Sequence, residues 1–300
     1  MKTRAFVAAI VLAVSLVPSP ASAWGFAGHR YIMGRAIELL PPELKTFFDH
    51  YRDEIVIRAT DPDLWRNVGW EDDPNHFVDF GIREYGDYPF TALPRDYDKA
   101  IEKFGMATLN RNGKLPWRAQ EMFGHLRRSF EGFKSGSPYA PSDVVLFSAL
   151  LGHYIQDAHQ PLHATSNHDG QLTGNNGLHA RFERDLIEKF QSRLNVNPAK
   201  PVAIANARDF AFDALLASYQ LVDGIVKADS EAVKGKEEYD AEYFDKFMAR
   251  VQPVLERRLA DAVAATAGVI IGAWEAAGKP ALTLEGARPV EKVRKPVNNR

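Results

Sequence analysis

"SDVVLFSALLGHYIQDAHQPLHA", residues 142–164, is the stretch whose reading decides the fold. Its apolar residues keep a helical period, with Ser142 placed to cap the start and Pro161 to end the run. His153 and Asp157 stand four residues apart, so both side chains project from one face of that helix. They do so inside the apolar run "LFSALLGHYI" and its continuation. Burying an imidazole and a carboxylate there is costly without strong partners. A shared metal ion is the economical explanation. His163 follows Gln160-Pro161, where the chain turns and can aim a further imidazole back at the same space.

Working outward, helical spacing continues almost throughout. "RYIMGRAIELL" stops at Pro41-Pro42, and "PELKTFFDHYRDEIVIRA" reads as one helix opened by proline. "AQEMFGHLRRSFEGFK" precedes the opening stretch, and "GLHARFERDLIEKFQSRL" follows it. Residues 207–229 and 243–278 supply two or three more helices. The long irregular stretches, 60–98 and 164–177, fall between helices, where such loops tend to carry function. No internal repeat or linker divides the chain. The expectation is an all-α single domain over residues 24–280, with a disordered tail at 281–300.

The first 23 residues read as an export signal: Lys2 and Arg4, an apolar run of about 13 residues, then Ala21-Ser22-Ala23. The run is short for a bilayer span, which takes roughly 20 residues. Cleavage between Ala23 and Trp24 would give a secreted or periplasmic protein beginning at Trp24. The 37 basic residues fall to 35 without Lys2 and Arg4, against 39 acidic ones, so no basic footprint for nucleic acid is present. The chain has no cysteine, which removes thiolate metal sites and thiol nucleophiles and leaves any zinc to histidine and carboxylate.

Four stretches carry candidate ligands: Trp24 and His29 in "WGFAGH", Asp61 and His76 in "ATDPDLW" and "DDPNHF", His153, Asp157 and His163, and finally His179 with Glu183. The last pair repeats the four-residue spacing of His153 and Asp157. A single such pair is most often a surface hydrogen bond; the whole set in order is a stronger signal. His50, His125, His159 and His168 read as surface or supporting groups, and Arg127 with Arg128 as a solvated helix face.

In that order, Trp24, Gly25-x-x-Gly28-His29, Asp61, His76-Phe77-x-Asp79, His153-x3-Asp157-x5-His163 and His179-x3-Glu183 resemble the superfamily of bacterial zinc-dependent phospholipases C and fungal single-strand nucleases of the S-one and P-one type. The resemblance runs from Trp24 to about residue 190. It implies an all-α phosphodiester hydrolase holding three Zn²⁺. Asp61, His76, His153 and Asp157 would bind one zinc, and His163, His179 and Glu183 a second. The third would take the free amine and carbonyl of Trp24, His29 and a bridging Asp157. Asp61 would also orient the attacking water or act as base, and Phe77 and Asp79 would meet the substrate.

The implied substrate is a phosphodiester, either a phospholipid head group or single-stranded nucleic acid. The five-residue gap from Trp24 to His29 is nuclease-like. Glu183, the 16-residue gap from His163 to His179, and "QPLHA" are phospholipase-like, and this side is favoured. Transient contact with a membrane surface goes with it, and no obligate protein partner is implied. A zinc-binding module without catalysis is the remaining alternative.

Overall fold

Proline placement and apolar period set the helix boundaries. The computed structural model describes residues 24–284. The expected leader, 1–23, and residues 285–300 of the expected tail lie outside the described residues. The helical segments are α1 (Gly25–Glu38), α2 (Pro42–His50), α3 (Arg52–Arg58), the single turn α4 (Asp61–Leu64), α5 (Tyr97–Phe104) and α6 (Met106–Asn112). After these come α7 (Leu115–Lys134), α8 (Ala140–Asp157), α9 (Leu178–Ala180), α10 (Leu186–Phe190), α11 (Ala207–Tyr219), α12 (Val222–Val233) and α13 (Ala241–Ala276). No strand occurs among the described residues, as the all-α expectation required.

Two boundaries depart from the sequence expectation. The run 42–59 divides at Tyr51 into α2 and α3. α8 begins before Ser142, because Pro141 occupies its first turn, where a missing N–H leaves no bond unmade. Ser142 is therefore inside the helix, its hydroxyl donating to Tyr139 O at 2.9 Å.

α7 pairs with α8, α11 lies over α7 and the turn at 161–164, and α13 packs across α8, α7, α1 and α12. α8 is buried along most of its length, as expected of a helix apolar on nearly every face. α13 is long and apolar enough to cross a membrane, but two thirds of its most apolar window is buried inside the protein, which makes it a core helix. One continuous apolar core joins Trp24 to Ala277, and Leu282 still packs on it.

Two glycines position the site. Gly152 leaves room beside His153 for the end of the Met33 side chain, whose Cε would lie 2.2 Å from an added Cβ. Gly113 has φ +93°, and a Cβ there would meet Phe77 O at 2.0 Å. The 113–115 turn can therefore clamp the segment that carries His76 and Phe77, with Leu115 N–H donating to Phe77 O.

Candidate metal centre

The last turns of α8 bring His153 and Asp157 to the middle of the molecule, both wholly buried. Around them gather His29 from the first turns of α1, Asp63 from α4, and His76 from the loop after a 3-10 turn at Asp73–Asn75. A neighbouring group forms from His163, in the 3-10 turn Pro161–Ala164, with His179 and Glu183. Glu183 lies in a π-helical segment, Arg181–Asp185, inserted between α9 and α10. Such bulges recur at functional sites.

Each imidazole is held by one nitrogen and turns the other inward. His153 Nδ1–H donates to Ala59 O at 2.8 Å, His163 Nδ1–H to His76 O at 2.7 Å, and His179 Nδ1–H to His168 O at 3.1 Å. His29 Nδ1–H donates to Gln156 Oε1 at 2.7 Å, and His76 Nε2–H to Asp72 Oδ2 at 3.1 Å. Those bonds fix the tautomers, because a neutral imidazole has one N–H and one lone pair. In the neutral rings the inward nitrogens are acceptors, and they face one another. His76 Nδ1 lies 3.0 Å from His153 Nε2, and both are within 3.2 Å of Asp157 Oδ2. His163 Nε2 lies 3.1 Å from His179 Nε2, which is 2.9 Å from Glu183 Oε2.

Converging lone pairs at such distances repel unless a cation sits among them. Three buried atoms reinforce the point by having no hydrogen-bond partner: His29 Nε2, Asp157 Oδ1 and Glu183 Oε1. Buried imidazole and carboxylate donors of this kind fit a divalent metal, and the absence of thiolate would leave any such ion an all-N/O site. The protein's own field is strongly polarised here. Burial works to raise the pKa of Asp157, yet His153, His29 and His76 outweigh it and hold that carboxyl well below its usual range. Burial opposes the His76 imidazolium, and Asp157 and Asp72 overcome it, lifting His76 to about 10, so the carboxylates call for a positive charge here that either a proton or a metal ion can supply. His163 is pushed down to about 3 by burial.

Of the two aspartates in Asp61-Pro62-Asp63, the structure groups Asp63 with the imidazoles. The carboxylate that joins His76 and His153 is Asp63, at 3.7 and 3.8 Å, and it also lies 3.9 Å from His29 Nε2. Asp61 meets Arg58 at 3.5 Å and stays partly exposed, within electrostatic reach of His153. Residues two apart on a helical turn point about 200° apart, so only one aspartate of Asp61-Pro62-Asp63 can face the centre.

Trp24 is fully buried, with its nitrogen donating to Glu183 Oε2 at 3.2 Å and its indole to Gln156 O at 2.7 Å. Its carbonyl accepts from Gly28 N–H. Phe77 and Asp79 lie just past His76 and outside both groups. Asp79 N–H donates to Asn112 O, and burial pushes its carboxyl up to about 7. His159 is a core histidine, donating to Ile155 O and driven down to about 3 by burial and by Arg258. Arg127 pairs with Glu131 on the outer face of α7, as expected of a solvated face.

The supporting groups were not singled out in the sequence. Asp72 accepts from His76, from the Tyr154 hydroxyl at 2.6 Å and from Arg118 at 3.4 Å. Gln160 donates to Glu183 Oε2 at 2.8 Å and approaches His179 Nε2 at 3.2 Å. Gln156 and Gln160 do carry a sequence signal: they sit beside the candidate donors, in "HYIQDAHQPLH". Arg181, beside Glu183, pairs with the wholly buried Asp229 and donates to the carbonyls of Asn175 and Asn176, tying the 165–177 loop to α12.

The comparison with known proteins points the same way. Over 141 residues, 45% of this chain, it is 29% identical to two curated proteins from Bacillus cereus, each described as "Phospholipase C". The chain spans about half the length of these relatives. No known family profile matches it. The likeness is to phospholipases C.

Proposed function

We propose that this chain is a zinc-dependent phosphodiester hydrolase that acts on phospholipid head groups. One observation carries the reading: buried imidazole nitrogens and carboxylate oxygens, each ring anchored from behind, converge within 3.0–3.1 Å of one another. The similarity to phospholipases C supports the reaction class and the lipid substrate. Asp63, His76, His153 and Asp157 would hold one zinc, and His163, His179 and Glu183 a second. Trp24, His29 and Asp157 would hold a third. Bound there, the ions would supply an activated water and neutralise the phosphoryl oxygens. The chain's own part is orientation. Asp72, Gln156 and the carbonyls of Ala59, His76 and His168 fix each ring, and such partners tune metal affinity about 10–100-fold.

Export with cleavage between Ala23 and Trp24 belongs to the same proposal. In the continuous chain the Trp24 nitrogen is a peptide N–H, a donor; cleavage makes it an amine with a lone pair for metal. Protein beginning at Trp24 should bind three zincs, measured by plasma mass spectrometry, and release phosphocholine from phosphatidylcholine. Hydrolysis of single-stranded DNA with lipid untouched would move the function to the nuclease reading. Fewer than two zincs with no turnover of bis(p-nitrophenyl) phosphate would leave a metal-binding module.

A further inference from the structure

Directly after Asp63 the chain forms a small closed knuckle. Residues 65–68 make a 3-10 turn, Gly69 follows at φ +77°, and Gly69 and Trp70 N–H donate back to Arg66 O and Trp65 O, each at 3.1 Å. The turn stacks Trp65 on Trp70, with ring centroids 4.7 Å apart and planes 19° from parallel. Trp65 packs against the core at the root of the knuckle. The tip faces outward: Val68 is 80% exposed and Trp70 58%, with Leu64 also exposed beside them. Open space surrounds Gly69. Arg66 Nε donates to Asp63 O at 3.2 Å, which ties the knuckle to a residue of the metal centre.

We infer that the Leu64–Trp70 knuckle docks the protein onto the interface of a zwitterionic phospholipid bilayer, beside the metal centre. This inference rests on the lipid reading of the site. Water-exposed valine and tryptophan on a hydrogen-bonded turn gain free energy on entering a lipid interface, and a preformed turn has little entropy left to lose there. Tryptophan is suited to that depth, with an apolar body and an N–H for the head-group region. Charge selects the surface. Between residues 61 and 76, Asp63 and Asp72 are buried, which leaves Asp61, Glu71 and Asp73 against a single guanidinium, Arg66, at the surface. That balance repels polyanions such as nucleic acid and does not favour an anionic membrane, while a zwitterionic surface imposes no net repulsion. Docking by the knuckle would bring head groups to Asp63 and its neighbours.

The test uses co-sedimentation of the purified protein with sucrose-loaded phosphatidylcholine vesicles, for the wild type, Val68→Asp and Trp70→Ser. Metal content and far-ultraviolet circular dichroism check that the variants fold. Each substitution should lower the vesicle partition coefficient about tenfold or more. The ratio of vesicle turnover to bis(p-nitrophenyl) phosphate turnover should fall with it. Unchanged partition in folded variants, or no partition by the wild type, overturns the inference. Binding of a single-stranded oligonucleotide that Trp70→Ser abolishes would also overturn it, making the stacked pair a base platform. The outcomes separate from those for the proposed function. Head-group hydrolysis in detergent micelles with knuckle-independent partition removes the knuckle and keeps the substrate. Knuckle-dependent partition without hydrolysis does the reverse.

Discussion

The group around His153 and the group around His179 gather the same donor types on different supports. His153 and Asp157 ride on α8, a buried helix whose backbone bonds are satisfied internally. Only side-chain orientation must be fixed from outside, and Ala59 O does that for His153. His163 and His179 leave a 3-10 turn and the edge of a π segment, where the backbone needs external support. That support comes from Arg181, which joins Asn175, Asn176 and Asp229 in one buried network. The charges differ as well: two carboxylates, Asp63 and Asp157, stand with the first group and one, Glu183, with the second. The contrast teaches that a helix can hold ligands by its own ladder, whereas a loop must be pinned by a buried charge pair.

The largest effect should separate the groups outright. Asp157 lies within 3.4 Å of His29, His76 and His153, so Asp157→Asn should lower turnover of bis(p-nitrophenyl) phosphate at least about a thousandfold. Plasma mass spectrometry should show more than one zinc lost, against one for Glu183→Gln. Equal metal losses from the two variants would break the comparison.

Next comes the clamp. Arg181→Met leaves the buried Asp229 without its cationic partner, held only by Asn175 and Tyr243, which should cost about 3 kcal/mol in urea unfolding. The surviving folded fraction should lose the His163–His179–Glu183 metal while keeping the one at His153. Loss of both together would show that the loop is not held independently.

A smaller contrast lies within Asp61-Pro62-Asp63. Asp63→Asn should weaken metal binding about 10–100-fold, while Asp61→Asn should stay within about twofold. Competition with a chromogenic chelator measures both, and the reverse order would restore Asp61 as the ligand.

The smallest effect concerns a carboxyl outside both groups. Burial raises Asp79 to about 7 in the folded protein. The unfolded chain loses that proton near pH 4, so Asp79 lowers stability as pH rises from about 4 to about 7. Asp79→Asn should flatten that slope, with a gain on the order of 1–2 kcal/mol at pH 7.5. Parallel urea curves at pH 5 and 7.5 would read it, and an unchanged slope would mean that Asp79 stays solvated.

Much of the centre was legible because its information is local. His153 with Asp157, and His179 with Glu183, declare a shared face by a four-residue gap. The expected helices at 119–134 and 207–229 correspond to α7, α11 and α12 for the same reason. What local period could not reach was the irregular stretch 60–98. There Asp61 and Asp63 are chemically equal, and spacing to His76 favours neither on physical grounds. Asp72 was equally hidden, since its role depends on Tyr154 and Arg118 from distant helices.

By itself the sequence determined the helical class, the donor types available and the pairing of candidate donors one turn apart. No cysteine is present, and amphipathic period needs only neighbouring residues. Only the tertiary structure decided that Asp63 turns inward, which nitrogen of each histidine faces the group, and that Trp65 and Trp70 stack at the surface. Those outcomes come from packing between segments 77 to 127 residues apart, such as His76 with His153 and His29 with Gln156. Carbonyls such as Ala59 O, supplied by another part of the chain, choose the tautomer, and no periodicity in the sequence encodes that choice.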